Sequence, residues 1–300
     1  MLWISNEMVR DAIILAGGLG TRMLPASLFS PKEALPLIDT PLINHLIWEA
    51  SRAGVSKIHL ILSLEKKRLL QEFLEGRQIH GPEVRDDLPR ESLTLGHDGV
   101  EVIPYVQKNA GGVADAISVA IDQVDGPFLV LLGDMVIIGD HYGPSQSGPK
   151  FASEASVKLV SNFQQSGVPV VGVSPVKESE VEKYGVVEVT EEKILRIVEK
   201  PSVSDAPSNL VLCGRYLFPE NTASILEKFP LSEYGEMQSI FLLNYLIENG
   251  GVNAVNLEGM EMYDSGDPMS WLKSQIDHGL RREDTSRELL EWLTDRLSRI

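Results

Sequence analysis

Apolar residues along this chain keep two different rhythms, and the alternation between them predicts the architecture. Residues 12–16 (AIILA) are apolar on both faces, as expected of a parallel strand buried on each side rather than one with a wet face. Glycines follow at once. Over 42–53 the period becomes helical, with Leu42, Leu46, Ala50 and Ala53 on one side and Gly54 as the stop; 58–62 returns to strand. The pattern recurs as a helix near 64–74, a strand near 100–106, a helix near 113–124 and a strand over 127–132. Strands alternating with helices in this way predict an α/β chain: a three-layer α/β/α sandwich around a mostly parallel, Rossmann-like central sheet.

Two stretches interrupt the rhythm. Residues 76–99 are polar and rich in turn formers (Gly81, Pro82, Asp86, Asp87, Pro89, Gly96), which predicts a surface excursion whose role the composition does not reveal. Residues 139–150 contain GPSQSGP, and beyond them strands dominate, at 168–173, 185–189, 194–198 and 210–218, before a helix over about 236–249. The second half is therefore mixed. In the tail, Leu289, Leu290, Leu293 and Leu297 alternate with charges, which fits an amphipathic helix laid on the body or on another subunit. The 300 residues are read as one large domain, with a first half to about 140, a second from about 150 to 283 and a terminal helix over 284–300.

Charge narrows the partners. With 43 acidic against 27 basic residues the net charge is −16, so DNA, RNA or an acidic membrane would be repelled overall. A phosphorylated small molecule remains compatible where a few Lys and Arg residues and a divalent cation reverse the field locally. No run approaches the ~20 apolar residues of a membrane helix, and residues 1–10 lack the basic-then-apolar layout of a secretion signal, so a soluble, cytoplasmic protein is expected. The single cysteine, Cys213, lies in an apolar run where burial is the simpler reading.

Candidate chemistry concentrates in residues 15–32, LAGGLGTRMLPASLFSPK. A buried strand ending in Leu15 and Ala16 delivers a loop with Gly17, Gly18 and Gly20, whose bare backbone can approach a phosphate and aim N–H groups at it. Thr21 lies in the same loop, and Arg22 and Lys32 add the positive charge a triphosphate needs. The loop has neither the GK[ST] ending of a Walker A site nor the full GxGxxG of a dinucleotide fold.

Taken together, GGLGTRMLP, the PK dipeptide and ALPLID resemble the defining string of the sugar-nucleotide pyrophosphorylases, and the stretch PKEALPLIDTPLINHLIWEASRAG is most similar to their bacterial and archaeal UDP-glucose branch. The resemblance implies a nucleotide site in the first half and a sugar site in the second, with UTP (or dTTP) and a sugar 1-phosphate as substrates, Mg²⁺ as cofactor and a homo-oligomeric dimer or tetramer. By it, Gln107 and Gly112 in QKNAGGVADAI contact the base; an amide carries donor and acceptor together and so suits uracil or thymine. Asp134, closing the apolar strand LVLLGDM, lies beside the nucleotide and ligates magnesium together with Asp264 of MYDSGD; two carboxylates suit an ion that prefers oxygen ligands and keeps several waters. In YGVVEV and VEKP, the Gly185 backbone lines the sugar pocket, Glu199 accepts from sugar hydroxyls, and Lys200 holds the sugar phosphate. Glu236 faces the sugar.

Departures from the family pattern are also visible. The histidine usual shortly after Gly112 is absent, with Ala114 and Asp115 in that stretch. YGEMQSIF replaces the usual GDEIQLTD, and Asp267 replaces a usual asparagine, which leaves the sugar open. Arg22, Lys32 and Lys200 are the residues expected to act on the phosphates in an in-line, magnesium-assisted attack of a sugar 1-phosphate on the α-phosphorus. The alternatives are a same-fold enzyme using dTTP or another sugar (dTDP-glucose or UDP-N-acetylglucosamine pyrophosphorylase), a non-catalytic nucleotide-sugar sensor, and a retaining glycosyltransferase. The last lacks the GTR and PK string, and a sensor would not need Arg22, Lys32, Asp134 and Asp264 together.

Overall fold

In the computed structural model, residues 8–71, 87–89, 93, 99–109, 111–234 and 238–300 are described. Most of the 76–99 excursion, and Glu236, lie outside them. In chain order the strands are β1 (Asp11–Ala16), β2 (Pro36–Leu37), β3 (Thr40–Pro41), β4 (Lys57–Leu62), β5 (Glu101–Val106), β6 (Phe128–Leu132), β7 (Met135–Ile138), β8 (Val170–Pro175), β9 (Gly185–Thr190), β10 (Lys193–Glu199), β11 (Leu210–Phe218), β12 (Asn253–Asn256) and β13 (Glu261–Asp264).

Nine of these strands form one sheet in the order β5-β4-β1-β6-β11-β8-β12-β10-β9. Its first four strands are parallel throughout, and β8 with β12 adds another parallel pair. β11 runs against β6, β8 and β9, and β10 against β9 and β12, so the sheet as a whole is mixed. The parallel order suggested by the alternating pattern thus belongs mainly to the half that the strand–helix–strand rhythm covers.

The period-2 geometry of β1 explains why its sequence is apolar without interruption. Ala12, Ile14 and Ala16 pack on one face with Leu46, Ile47 and Ala50 of the helix Leu42–Arg52, while Ile13 packs on the other with Ala114 and Ile117 of the helix Gly112–Ser118. Both layers continue along the sheet, with the helix Ala155–Ser166 on the first face and Gln238–Glu248 on the second. Ala155–Ser166 has no counterpart among the sequence-derived elements. Within it Ala155, Leu159, Val160 and Phe163 are buried, and Gly167 ends it at φ 67°.

One buried ion pair ties the sheet to the first helix layer. On β11, Arg215 is fully buried and its Nε and Nη2 donate to Glu49 Oε1 and Oε2 at 2.7 and 2.9 Å. Ser156 Oγ donates to Glu49 Oε1 as well, at 2.6 Å. A third bond, from Arg215 Nη2 to the Met135 carbonyl at 3.0 Å, ties this internal pair to the residue after Asp134. Removing Glu49 would strand a buried guanidinium, which costs ~3–5 kcal/mol. Cys213 is fully buried on the same strand, where burial pushes its thiol up to about 12, so it is a packing residue.

Among the described residues, no helix is long and apolar enough to cross a membrane. The terminal helix Ser286–Leu297 lies against Pro268–Arg281 through Leu289, close enough to Gly279 that a Cβ there would meet it at 2.7 Å. Leu290, Trp292 and Leu297 point away into solvent.

Candidate active site

Parallel strands deliver their carboxyl ends to one edge, and here that edge collects the site. Ala16 is level with Leu62, Leu15 with Leu132, and Leu62 with Val106, so the segments that follow β1, β6 and β5 emerge side by side. Gly133 makes the junction possible. Its N–H donates to the Leu15 carbonyl at 2.9 Å, and a Cβ would lie 2.5 Å from that oxygen, so only glycine lets Asp134 turn back over the loop after β1.

Within that loop the glycines do different work. Gly17 lies under Gln107, whose Oε1 would be 2.5 Å from a Cβ, whereas Gly18 has open space beside it, as a backbone meant for ligand approach needs. Gly20, at φ 65°, turns the chain into a short 3₁₀ turn, Thr21–Met23, and its carbonyl accepts from Met23 N and Ser27 Oγ, each at 2.9 Å. Lys32 then comes back beneath Gly20, buried along its length, and its ammonium meets Asp134 Oδ2 at 2.5 Å. Burial pushes the Asp134 carboxyl up, but Lys32, a backbone hydrogen bond and Arg22 together outweigh it and hold the carboxyl below the usual range.

Beneath the loop is a second ion pair that composition disguised as surface. The helix Leu64–Leu69, LEKKRL, buries Lys66, whose ammonium donates to both Glu33 oxygens at 2.7 and 2.6 Å and to the Ala16 carbonyl at 2.8 Å. Glu33 follows Lys32 directly, so this pair anchors the strand end and the lysine turn to one another. Burial raises the Glu33 carboxyl and lowers the Lys66 amine, against the pull of their mutual attraction.

The other carboxylate arrives by a two-stranded ladder. β13 pairs antiparallel with β7 so that Asp264 lies opposite Met135, and Ser265 donates through both N and Oγ to the Asp134 carbonyl at 2.9 and 3.1 Å. Gly266 N donates to Asp264 Oδ1 at 2.6 Å, and Arg22 reaches over Gly266, its Nη2 2.8 Å from where a Cβ would stand. Burial and then the nearby Asp134 charge raise the Asp264 carboxyl, while the Gly266 N–H and Arg22 oppose them. Arg22, Lys32, Asp134 and Asp264, far apart in sequence, therefore occupy one locus. Asp267 instead caps the helix Pro268–Arg281, accepting from Met269 N and Ser270 N at 3.0 Å each, so its departure from asparagine leaves a residue equally able to cap.

Next to this locus is a cavity of about 230 Å³ whose wall runs from Leu132 and Met135 to Tyr184, Gly185 and Glu199. Gly185 and Glu199 are partners across the β9–β10 ladder, and a Cβ on Gly185 would crowd Glu199 Oε2 at 3.1 Å. Lys200 stands at the rim, its side chain 63% exposed and its ammonium 3.4 Å from Glu199 Oε1. Its φ of 44° is unusual for a non-glycine residue and is fixed by its N–H donating to the Tyr184 carbonyl at 3.0 Å. The sequence pattern gives Tyr184 no role of its own; in the structure burial, with Asp264 nearby, pushes its phenol up to about 12. At the end of β5, Gln107 Nε2 donates to Asp115 Oδ2 at 2.7 Å and lies 3.4 Å from the Gly112 carbonyl.

A glycine loop at a parallel sheet edge, a lysine–aspartate pair and a second aspartate folded onto it thus meet at one locus, and the chain belongs to the nucleotidyl transferase family, whose defining pattern matches residues 11–277. It is 31% identical over 294 residues to the UTP–glucose-1-phosphate uridylyltransferase of Haemophilus influenzae, covering 94% of this chain and 97% of that one. In structure it is similar to a UTP-bound UGPase from Acinetobacter baumannii, with a TM-score of 0.77, 27% identity and coverage of 96% and 99%. A UDP-glucose pyrophosphorylase complexed with UDP-glucose matches with a TM-score of 0.75 and 27% identity, covering 90% of this chain and 98% of its own.

Proposed function

We propose that this chain transfers the uridylyl group of UTP to glucose 1-phosphate, giving UDP-glucose and pyrophosphate. The observation that carries the reading is the convergence of Arg22, Lys32, Asp134 and Asp264 beside a cavity that ends at Glu199. A phosphate oxygen of the sugar 1-phosphate attacks the α-phosphorus as the bond to the bridging oxygen breaks, and pyrophosphate leaves on the opposite side. The nucleophile is already an anion, so no proton has to be moved and no covalent intermediate forms; positioning and screening supply the rate.

In this reading Leu15, Ala16, Gly17, Gly18, Gly20 and Thr21 line the nucleotide, Gln107 and Gly112 meet the base, and Arg22 steadies the β- and γ-phosphates. Lys32 neutralises charge that builds on the α-phosphate. Lys200 guides the incoming phosphate, and Gly185 and Glu199 contact the sugar, with Glu236 assigned there from sequence alone. Asp134 and Asp264 fit a hard divalent cation: each is a carboxylate, the β7–β13 ladder brings both to one locus, and burial followed by the Asp134 charge raises the Asp264 carboxyl, a cost that a bound cation would relieve. Mg²⁺ bound there would act as a Lewis acid on the phosphate oxygens. The same reading divides the chain into a nucleotide half to about 140 and a sugar half over about 150–283, and makes it a cytoplasmic homo-oligomer, with Leu290, Trp292 and Leu297 available for contact.

A panel of UTP, dTTP, CTP and ATP against glucose 1-phosphate, N-acetylglucosamine 1-phosphate and galactose 1-phosphate, followed by pyrophosphate release with and without Mg²⁺, tests it. Preference for UTP with glucose 1-phosphate is expected. No pyrophosphate release from any pair would point to a sensor, and preference for dTTP or another sugar would redirect the assignment within the family. Light scattering of the purified chain tests the oligomer.

A further inference from the structure

We propose that Asp115 selects the nucleobase by fixing which end of the Gln107 amide faces it; this rests on the reading of Gln107 as the base contact. Gln107 follows β5, with its backbone N–H held by the Leu62 carbonyl at 2.9 Å. Its side-chain amide has two distinct ends, and an unrestrained amide can turn over to present either. Here both neighbours of Nε2, Asp115 Oδ2 at 2.7 Å and the Gly112 carbonyl at 3.4 Å, are groups that only accept. The N–H end must therefore face the helix Gly112–Ser118, and Oε1 is turned the other way, over Gly17 at the mouth of the glycine loop.

The chain is built around this contact on both sides. Gly17 and Gly111 are the glycines that it occupies: a Cβ on the first would meet Gln107 Oε1 at 2.5 Å, and one on the second would meet Asp115 Cγ at 2.7 Å. The consequence is that Gln107 offers the base its carbonyl acceptor and keeps its N–H end turned away. A base with a ring N–H at that edge, the N3–H of uracil or thymine, can donate to Oε1. One with a ring-nitrogen lone pair there, cytosine N3 or adenine N1, brings two acceptors face to face. Asp115 touches no substrate in this arrangement and acts as a positioning residue, through Gln107.

A carboxylate in the first turn of a helix also steadies that helix, so the test separates the two roles. Asp115→Asn keeps the shape and can either accept from Nε2 or donate to Oε1, which frees the amide to turn over. With the purified full chain, titration calorimetry with UTP and CTP and steady-state assays with glucose 1-phosphate should show UTP-over-CTP selectivity falling roughly 10-fold in Asp115→Asn and in Asp115→Ala. The loss should fall on KM rather than kcat, and Asp115→Asn should keep the wild-type melting temperature. Gln107→Ala should lose as much selectivity, and the double variant Gln107→Ala with Asp115→Ala no more than either alone. A helix-steadying role alone would lower the melting temperature of Asp115→Ala and leave base selectivity untouched. Retention of the wild-type ratio by both Asp115 variants, or losses that multiply in the double variant, would overturn the proposal. Preference of the unmodified chain for CTP would overturn it together with the orientation of Gln107, whereas failure of that chain to bind any triphosphate would overturn the proposed function itself.

Discussion

The two ends of the site are built to different standards. At the end proposed to hold the phosphates Lys32 is buried, its ammonium lies on Asp134 at 2.5 Å, and a further buried pair, Lys66 with Glu33, braces the loop from below. At the end proposed to hold the sugar, Glu199 and Lys200 lie at the rim, with side chains 39% and 63% exposed and 3.4 Å between their charges. Charge that must be ready before a reactant arrives is held in place by the fold, and is strengthened by being out of water. Charge at an entrance only has to be available, and solvent screens it. Chemistry should therefore be lost at one end and affinity at the other.

Substitutions rank accordingly. Lys32→Ala should show the largest effect, a fall in kcat of ~10³-fold with a smaller change in urea midpoint, because it removes charge stabilisation at the reacting phosphate. Near-normal turnover would remove Lys32 from the chemistry. Asp264→Asn should cost ~10²-fold in Mg²⁺-dependent turnover, and the sign of its stability effect is informative. Its carboxyl is raised by burial and by Asp134, so the ionised form is less welcome in the folded chain than in the unfolded one. The contribution that this group makes to stability is present below its unfolded value and lost as pH rises through the raised one, so neutral Asn should raise the melting temperature of the metal-free protein at pH 7. Added Mg²⁺ should stabilise wild type and not the variant. For Asp134 the sign is opposite: its lowered carboxyl supports folding above the unfolded value, and that support disappears as pH falls through the folded one.

Smaller effects belong to the other end. Glu199→Gln should raise KM for the sugar 1-phosphate by ~10-fold while leaving kcat within a few-fold, because an amide still offers one acceptor to a hydroxyl. Lys200→Ala should be the mildest, raising the same KM by ~3-fold at physiological salt and less at high salt. A loss in kcat at Lys200 to match that at Lys32 would erase the distinction between the ends.

How much of this was legible in the sequence follows the same division. Leu15 to Lys32 could be read directly because strand, glycines and both cations are contiguous, so local chemistry and fold point the same way. The parallel half of the sheet was legible for a related reason, since β1 is apolar on both faces and its helix keeps a clean period. What escaped depends on partners distant in sequence. LEKKRL has the composition of a solvated helix, yet Lys66 is buried against Glu33. Gly17 reads as backbone room for a phosphate, and the sequence does not show that the Gln107 amide also needs the space a Cβ would take there. Asp115 registers only as a departure from a histidine until Gln107 is seen beside it. The helix Ala155–Ser166 could have been found, since Ala155, Leu159 and Phe163 recur every four residues before Gly167; it was hidden by the turn-rich stretch just before it.

The ladder between β7 and β13 carries a consequence for how the protein comes into being. Asp264, proposed to share a cation with Asp134, is 130 residues downstream of it, and Ser265 must find the Asp134 carbonyl before the two can be held together. On the proposed reading, a chain emerging from the ribosome can thus pair Lys32 with Asp134 once the first half is made, yet stays chemically silent until residue 264 has been synthesised and docked.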